Sequence, residues 1–500
     1  MLRHALLAIV ATACLTGCSQ RQTLSPTDRL TPCTADDAPA DAYCGTLKVF
    51  ENRETRRGRQ IDLNIVVLPA LRADAQPDPL FFLAGGPGQG AAKLARVVRE
   101  MFRRVQNDRD IVLVDQRGTG KSNPLNCDQH EAGDDSLETA IESPDATLAR
   151  LKSCLSKYDA DLTQYTTTIA MDDLDDVRAF LGYDRINLYG GSYGTRAGLV
   201  YMRQHGGRVR AAILDGVAPT DMRLPLYFPR DAQRAFDLLV KDCAADAGCN
   251  TAYPHLGERM QTLMARLEQN PPTVKVTDPR TGQPVVMTID ARLLADIVVF
   301  SLYVPAATTL VPAIIAAGER NDFQGLLALG SIADGGGGEP NMSIGMQLSV
   351  ICTEDAPRNT PDDLDREAKA TLFGKYVMSI QSRACSFWPR GKAAASYYEP
   401  VTSAIPTLVL SGGIDPVTPT WGEQVAKTLS NSKHVIIPGS GHTAGSTGCG
   451  QRIMKDFIAK GTAQDLDTSC AARVQRPAFF LSPAGPDPTR TTAPLVQGAR

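Results

Sequence analysis

The chain has 500 residues, of which 43% are hydrophobic and 21% charged, with a formal net charge of -3. That balance supports a packed core and excludes a fibrous, low-complexity or largely disordered chain. It also lacks the basic excess that marks a nucleic-acid binder.

Arg3 precedes an apolar run over residues 5–13, and Leu15-Thr16-Gly17-Cys18 follows. A charged start, a short apolar stretch and small residues before a cut describe a secretory signal that is too short to span a bilayer. The four closing residues resemble a bacterial lipobox. Residues 1–17 are then the lipoprotein signal peptide, and Cys18 is the lipidated first residue, anchored in a membrane. Ser19, in a host of Gram-negative type, implies sorting to the periplasmic face of the outer membrane; an ordinary cut nearby would instead give a secreted protein. A second apolar run, 293–317, contains Asp296, Pro305 and Pro312 and reads as buried helices.

Of 12 cysteines, Cys14 and Cys18 belong to the leader. The other ten fall in sequence-adjacent couples: Cys33 and Cys44, Cys127 and Cys154, Cys243 and Cys249, Cys352 and Cys385, Cys449 and Cys470. Spacing does not fix connectivity, but an even number in an exported chain points to disulfides, with neighbours paired. Without a Cys-x-x-Cys pair, nothing supports a zinc or dithiol redox site.

Residues 18–44 are polar, with Pro26, Pro32 and Pro39, and read as an N-terminal tether. Runs at 47–51 and 61–68 predict a hairpin around Arg56-Arg57-Gly58. Wholly apolar runs at 80–83, 111–114, 186–189 and 211–214 predict buried parallel strands. Helices are expected at 91–105 and 171–181. From 219 the helical period dominates (230–243, 256–268, 291–302, 364–373), interrupted by glycines at 335–338. Strand signals return at 405–411 and 434–437, followed by a helix at 450–459. The pattern predicts an α/β fold: a mostly parallel central sheet flanked by helices, with a largely helical cap inserted after the sixth core strand. The divisions are a first core part at 45–219, a cap at 220–400, a second core part at 401–460 and a C-terminal tail at 461–500.

Gly190-Gly191-Ser192-Tyr193-Gly194 follows an expected strand and opens an expected helix, the setting of a nucleophile elbow. Of six histidines, His442 lies in a glycine-rich loop after the last expected strand and is the candidate base. Asp415, in the loop after the preceding strand, is the candidate acid, with Asp215 as its rival. The order Ser192, Asp415, His442 suits an acyl-transfer triad. Gly85-Gly86-Pro87-Gly88 follows strand 80–83, so the amides of Gly86 and Tyr193 are the expected oxyanion donors. Gly120-Lys121-Ser122 resembles the end of a phosphate loop, but Asp115 stands where that loop needs glycine, so nucleotide binding is rejected.

Three of these motifs together, Gly-Gly-Pro-Gly, Asp-Gln-Arg-Gly-Thr-Gly-Lys-Ser at 115–122, and Gly-Gly-Ser-Tyr-Gly, resemble the proline iminopeptidase and tripeptidyl aminopeptidase family of α/β-hydrolases. The likeness covers about residues 45–220 and 400–470, and the late cysteine-bearing segment is similar to the C-terminal region of the secreted tripeptidyl aminopeptidases. Ala84 and Tyr193 replace the His and Trp usual in proline iminopeptidases and favour the tripeptidyl-type relatives. The resemblance implies an α/β-hydrolase fold and a serine peptidase releasing amino acids or short peptides from peptide N-termini. It implies peptide substrates and no cofactor, metal, nucleotide or nucleic acid. An esterase acting on carboxyl esters or lipids is the alternative, and a non-catalytic binding lipoprotein a further one. The resemblance implies a cap carboxylate for the substrate amine without locating it; Glu354 and Asp355, which follow the apolar run 348–351 and which a Cys352–Cys385 bridge would fix over the core, are the candidates.

Overall fold

The computed structural model describes residues 29–34, 38–127, 143–333, 342–369, 371–377, 379–482 and 485–486. The signal peptide, Cys18, His130 and the 335–338 glycine run lie outside the described residues.

A nine-stranded sheet forms the centre. Its strands are β1 (Thr31–Pro32), β2 (Tyr43–Phe50), β3 (Gln60–Leu68), β4 (Leu80–Leu83), β5 (Ile111–Val114), β6 (Ile186–Gly191), β7 (Val209–Asp215), β10 (Thr407–Gly412) and β11 (Ser432–Ile437). Their order across the sheet is β1-β2-β3-β5-β4-β6-β7-β10-β11. The first strands pair antiparallel, and from β5 to β11 every neighbour is parallel. β4 and β5 consist only of apolar residues because both of their faces are covered. Alternate side chains enter two cores: Phe81 and Leu83 meet the helices Thr167–Leu181 and Tyr193–His205, whereas Leu80 and Phe82 meet Ala95–Gln106 and Gly448–Lys460. Crossovers of this kind bring the ends of β4, β6, β7, β10 and β11 to one edge.

The stretch between β7 and β10 is in two parts. Helices Phe228–Ala245, Leu256–Gln269, Ala291–Leu302 and Val311–Gly318 build a core of their own around Phe236, Leu263 and Leu294. They carry a hairpin of β8 (Thr273–Thr277) and β9 (Pro284–Thr288). From the helix Ile344–Val350 onward, however, Met346, Leu348, Cys352 and Trp388 pack into the main core. A single cap over 220–400 is therefore corrected: much of its later part completes the sheet's own covering layer, while Phe373 stays in the cap's core against Phe236. The expected helix at 364–373 forms at Pro361–Lys369 instead.

The tether is corrected too. Thr31–Pro32 pair antiparallel with Tyr43 and Cys44, and Cys33 bonds Cys44, so the sheet captures this segment before residue 45. All five couples are bonded: Cys33–Cys44, Cys127–Cys154, Cys243–Cys249, Cys352–Cys385 and Cys449–Cys470. The apolar run 293–317 breaks into three helices ending at Leu302, Thr308 and Gly318. Among the described residues, no helix is long and apolar enough to cross a membrane.

Candidate active site

β6 passes into the helix Tyr193–His205 through one residue, Ser192, at φ 55° and ψ −125°. Non-glycine residues rarely hold that backbone, and such strain is characteristic of a nucleophile turn. The flanking glycines are required by contact. A Cβ on Gly190 would fall 2.2 Å from the Gly194 carbonyl oxygen, and one on Gly194 would fall 2.2 Å from that of Leu83. The Ser192 amide donates to the Asp215 carbonyl at 2.9 Å, fixing the turn to the end of β7.

His442 and Asp415 come from the loops that follow β11 and β10. Nδ1 of His442 lies 3.0 Å from Asp415 Oδ2. The same carboxylate accepts from the Val417 amide at 2.7 Å, the Thr418 amide at 3.0 Å and the Thr418 hydroxyl at 2.7 Å. Burial alone would push Asp415 up, but the imidazole and these donors hold it below the usual carboxylate range. Burial pulls His442 down, and Asp415 outweighs it, raising the imidazole above its ordinary value. Nε2 of His442 is buried and has no hydrogen-bond partner among the described residues. Its ring rests on the β7 turn: a Cβ on Gly216 would lie 3.0 Å from Cε1. Asp215, the rival acid, is engaged elsewhere, its Oδ2 accepting from Tyr189 and the Gly445 amide.

The loop after β4 closes the other side. A Cβ on Gly85 would lie 3.3 Å from Ser192 Cβ, and Gly86 has φ 110°. The Ser343 amide donates to Gly88 O at 2.8 Å, so the chain beyond the cap props this turn. Tyr193 begins its helix, where an amide has no acceptor within the helix. Gly85, next to Gly86, thus packs against the serine that Tyr193 follows.

Glu354 and Asp355 are a correction. They lie in a π-helical turn, Ile351–Asp355, and are only 1% and 0% exposed. Glu354 accepts from the Thr167 amide at 2.7 Å, the Thr167 hydroxyl at 2.8 Å and the Tyr397 hydroxyl. Asp355 pairs with Arg196 at 2.8 Å and Arg358 at 3.2 Å. Saturated and buried, neither carboxylate can receive a substrate amine. They instead brace the helix behind the serine, through Thr167 to the Tyr193 hydroxyl at 2.7 Å.

Residues 78–290 match the alpha/beta hydrolase fold family and residues 369–470 the TAP-like protein family. The chain thus has the α/β-hydrolase fold, with a TAP-like segment toward its C-terminus. A relative named serine protease Hip1, from Mycobacterium tuberculosis, is 27% identical over 479 residues, covering 88% of this chain and 90% of that protein. Tripeptidyl aminopeptidase from Streptomyces lividans is 24% identical over 466 residues, 88% of this chain and 86% of that one. Proline iminopeptidase from Neisseria gonorrhoeae is 28% identical over 141 residues, 28% of this chain and 32% of that protein.

Two features of this hydrolase escaped the sequence reading. Tyr303, at the end of a cap helix, accepts the His442 amide at 3.2 Å and sets its ring edge-on, 5.3 Å from the imidazole. Asp231, on the first turn of Phe228–Ala245, is pushed up to about 6 by burial despite Arg230, and Asp415 adds to the rise. Neither had a motif: Asp231 follows Pro229, and Tyr303 stands between an apolar helix and Pro305. The 115–122 turn closes around Asp115, which accepts from the Ala92 amide at 2.8 Å and the Lys121 amide at 3.0 Å. A phosphate entering that turn would meet a carboxylate.

Proposed function

We propose that this hydrolase is an exported, lipid-anchored serine aminopeptidase acting through an acyl-enzyme. The observation that carries the reading is the His442–Asp415 pair at 3.0 Å, with Nε2 unpartnered, against the same β7 turn that holds strained Ser192. Nδ1–H donates to Asp415, which leaves Nε2 as the bare nitrogen. Ser192 Oγ attacks the scissile carbonyl while Nε2 takes its proton. The imidazolium then protonates the leaving amine, and water, activated by the same nitrogen, releases the acyl group. The amides of Gly86 and Tyr193 hold the oxyanion. Peptide substrates are favoured because relatives named serine protease and tripeptidyl aminopeptidase match over most of their length.

Hydrolysis of a tripeptidyl-anilide, its N-acetylated counterpart and a p-nitrophenyl ester tests this. The free-amine anilide is expected to lead the acetylated one by about 100-fold in kcat/KM, the scale at which loss of a charged contact is felt. Turnover of the ester alone would make the chain an esterase.

A further inference from the structure

Asp215 is a completely buried carboxylate, 0% exposed, for which the reaction above has no use. It closes β7, paired with Gly191 on one side and Leu410 on the other. Three tethers meet in it. Its carbonyl accepts the Ser192 amide at 2.9 Å, and its Oδ2 accepts the Tyr189 hydroxyl at 2.9 Å and the Gly445 amide at 2.8 Å. Gly445 lies three residues beyond His442, so one residue joins the serine turn, through its carbonyl, to the histidine loop, through its carboxylate. The fit is close: a Cβ on Gly445 would lie 2.6 Å from Oδ2, and one on the adjoining Gly216 would lie 3.2 Å from His442 Nδ1.

Both hydrogen bonds fall on Oδ2, and Oδ1 is buried without a partner. A neutral amide oxygen could accept those two bonds equally well, so a clamp alone does not call for an acid. Burying a charge is costly unless an opposite charge is near. The titratable groups facing it are Tyr189 from β6 and His442 from the loop, with Asp415 beyond the imidazole; β10 presents apolar Leu410, and Met454 packs behind Gly445. His442 is the only one of these that becomes a cation.

We propose that Asp215 is a positioning residue of the hydrolytic centre, clamping the serine turn to the histidine loop and setting a second negative charge against the His442 imidazolium formed in each turnover. This inference rests on the triad reading above. Burial pushes Asp215 up to about 6, opposed by the Gly445, Tyr189 and His442 contacts. It is therefore charged at neutral pH and loses its charge as pH falls through that value. Its charge in turn helps to hold His442 above its ordinary value.

The test is the rate of inactivation of the full-length protein by a fluorophosphonate between pH 5 and 9, with melting temperatures measured in parallel. In Asp215→Asn the imidazolium loses one anion, so the plateau rate should fall about tenfold and the acid limb should move about one pH unit lower. Tyr189→Phe keeps the charge but removes a bond that lowers Asp215. Its acid limb should move higher, whatever the loss of this tether does to the plateau. Opposite movements support the proposal. An Asp215→Asn protein with wild-type plateau and limb, changed only in melting temperature, would overturn it. Should that variant not fold, an unshifted limb in Tyr189→Phe overturns it equally. Wild-type protein left unlabelled at Ser192 would remove the triad reading, and the inference with it.

Discussion

At the residue scale, the buried ion pairs beneath the serine helix show how position decides chemistry. Arg196 is 0% exposed and meets Asp355 at 2.8 Å, with Glu354 at 3.8 Å. Removing one member of a buried pair strands the other, which typically costs about 3–5 kcal/mol. Asp355→Asn should therefore lower the melting temperature sharply while leaving KM for a surviving folded fraction unchanged. A rise in KM for free-amine peptides, with stability intact, would return Asp355 to the amine-binding role assigned from sequence. That assignment failed for a physical reason. The acids after 348–351 look like a solvated turn, but the helix continues as a π-turn that points both carboxylates inward. Ser192, His442 and Asp415 were legible because their loops carry glycines, whose close approaches have few other solutions. Asp215 was legible only as a rival acid; which carboxylate reaches Nδ1 depends on loop paths that spacing does not encode.

At the element scale, the parallel strands could be read from their uninterrupted apolar runs, which only a doubly covered sheet can bury. The hairpin β8–β9 went unread since its half-exposed alternation, TVKVT and PVVMT, sits inside a helical stretch. The helix Pro144–Leu155 did carry a signal, Ser143 capping the Ala146 amide with proline at the first turn, but its flanks masked the period. The Cys352–Cys385 bond ties the π-turn to the helix Ser379–Ala384 across a separation of 33 residues. Opening it with Cys352→Ser and Cys385→Ser together should cost about 2–4 kcal/mol in denaturant unfolding, a disulfide's usual share. Unchanged stability would mean that the buried contacts around Trp388 hold this layer without the bond.

At the scale of the whole molecule, the chain returns on itself. After Cys470, bonded to Cys449, the tail crosses to the cap: Arg476 meets Asp242 at 2.8 Å and Phe479 enters the cap's core. Cap and sheet are thus held together by the tail and by Tyr303 on the histidine loop. The sequence showed an interrupted sheet but not this seam, because long-range contacts leave no local period. The anchor belongs to this scale as well. Cys18→Ala should move the protein from the membrane to the soluble fraction without altering hydrolysis of a small ester; wild-type protein found wholly in the soluble fraction would contradict lipidation.

Ser192, activated by His442 and Asp415, is the proposed nucleophile. Mapping the covalent adduct left by a fluorophosphonate, by mass spectrometry of peptides from the full-length protein, tests it most directly. One adduct is expected, on Ser192, absent in Ser192→Ala and formed about 10²–10⁴-fold more slowly in His442→Ala. An adduct on another residue, or none on folded wild-type protein, would contradict it.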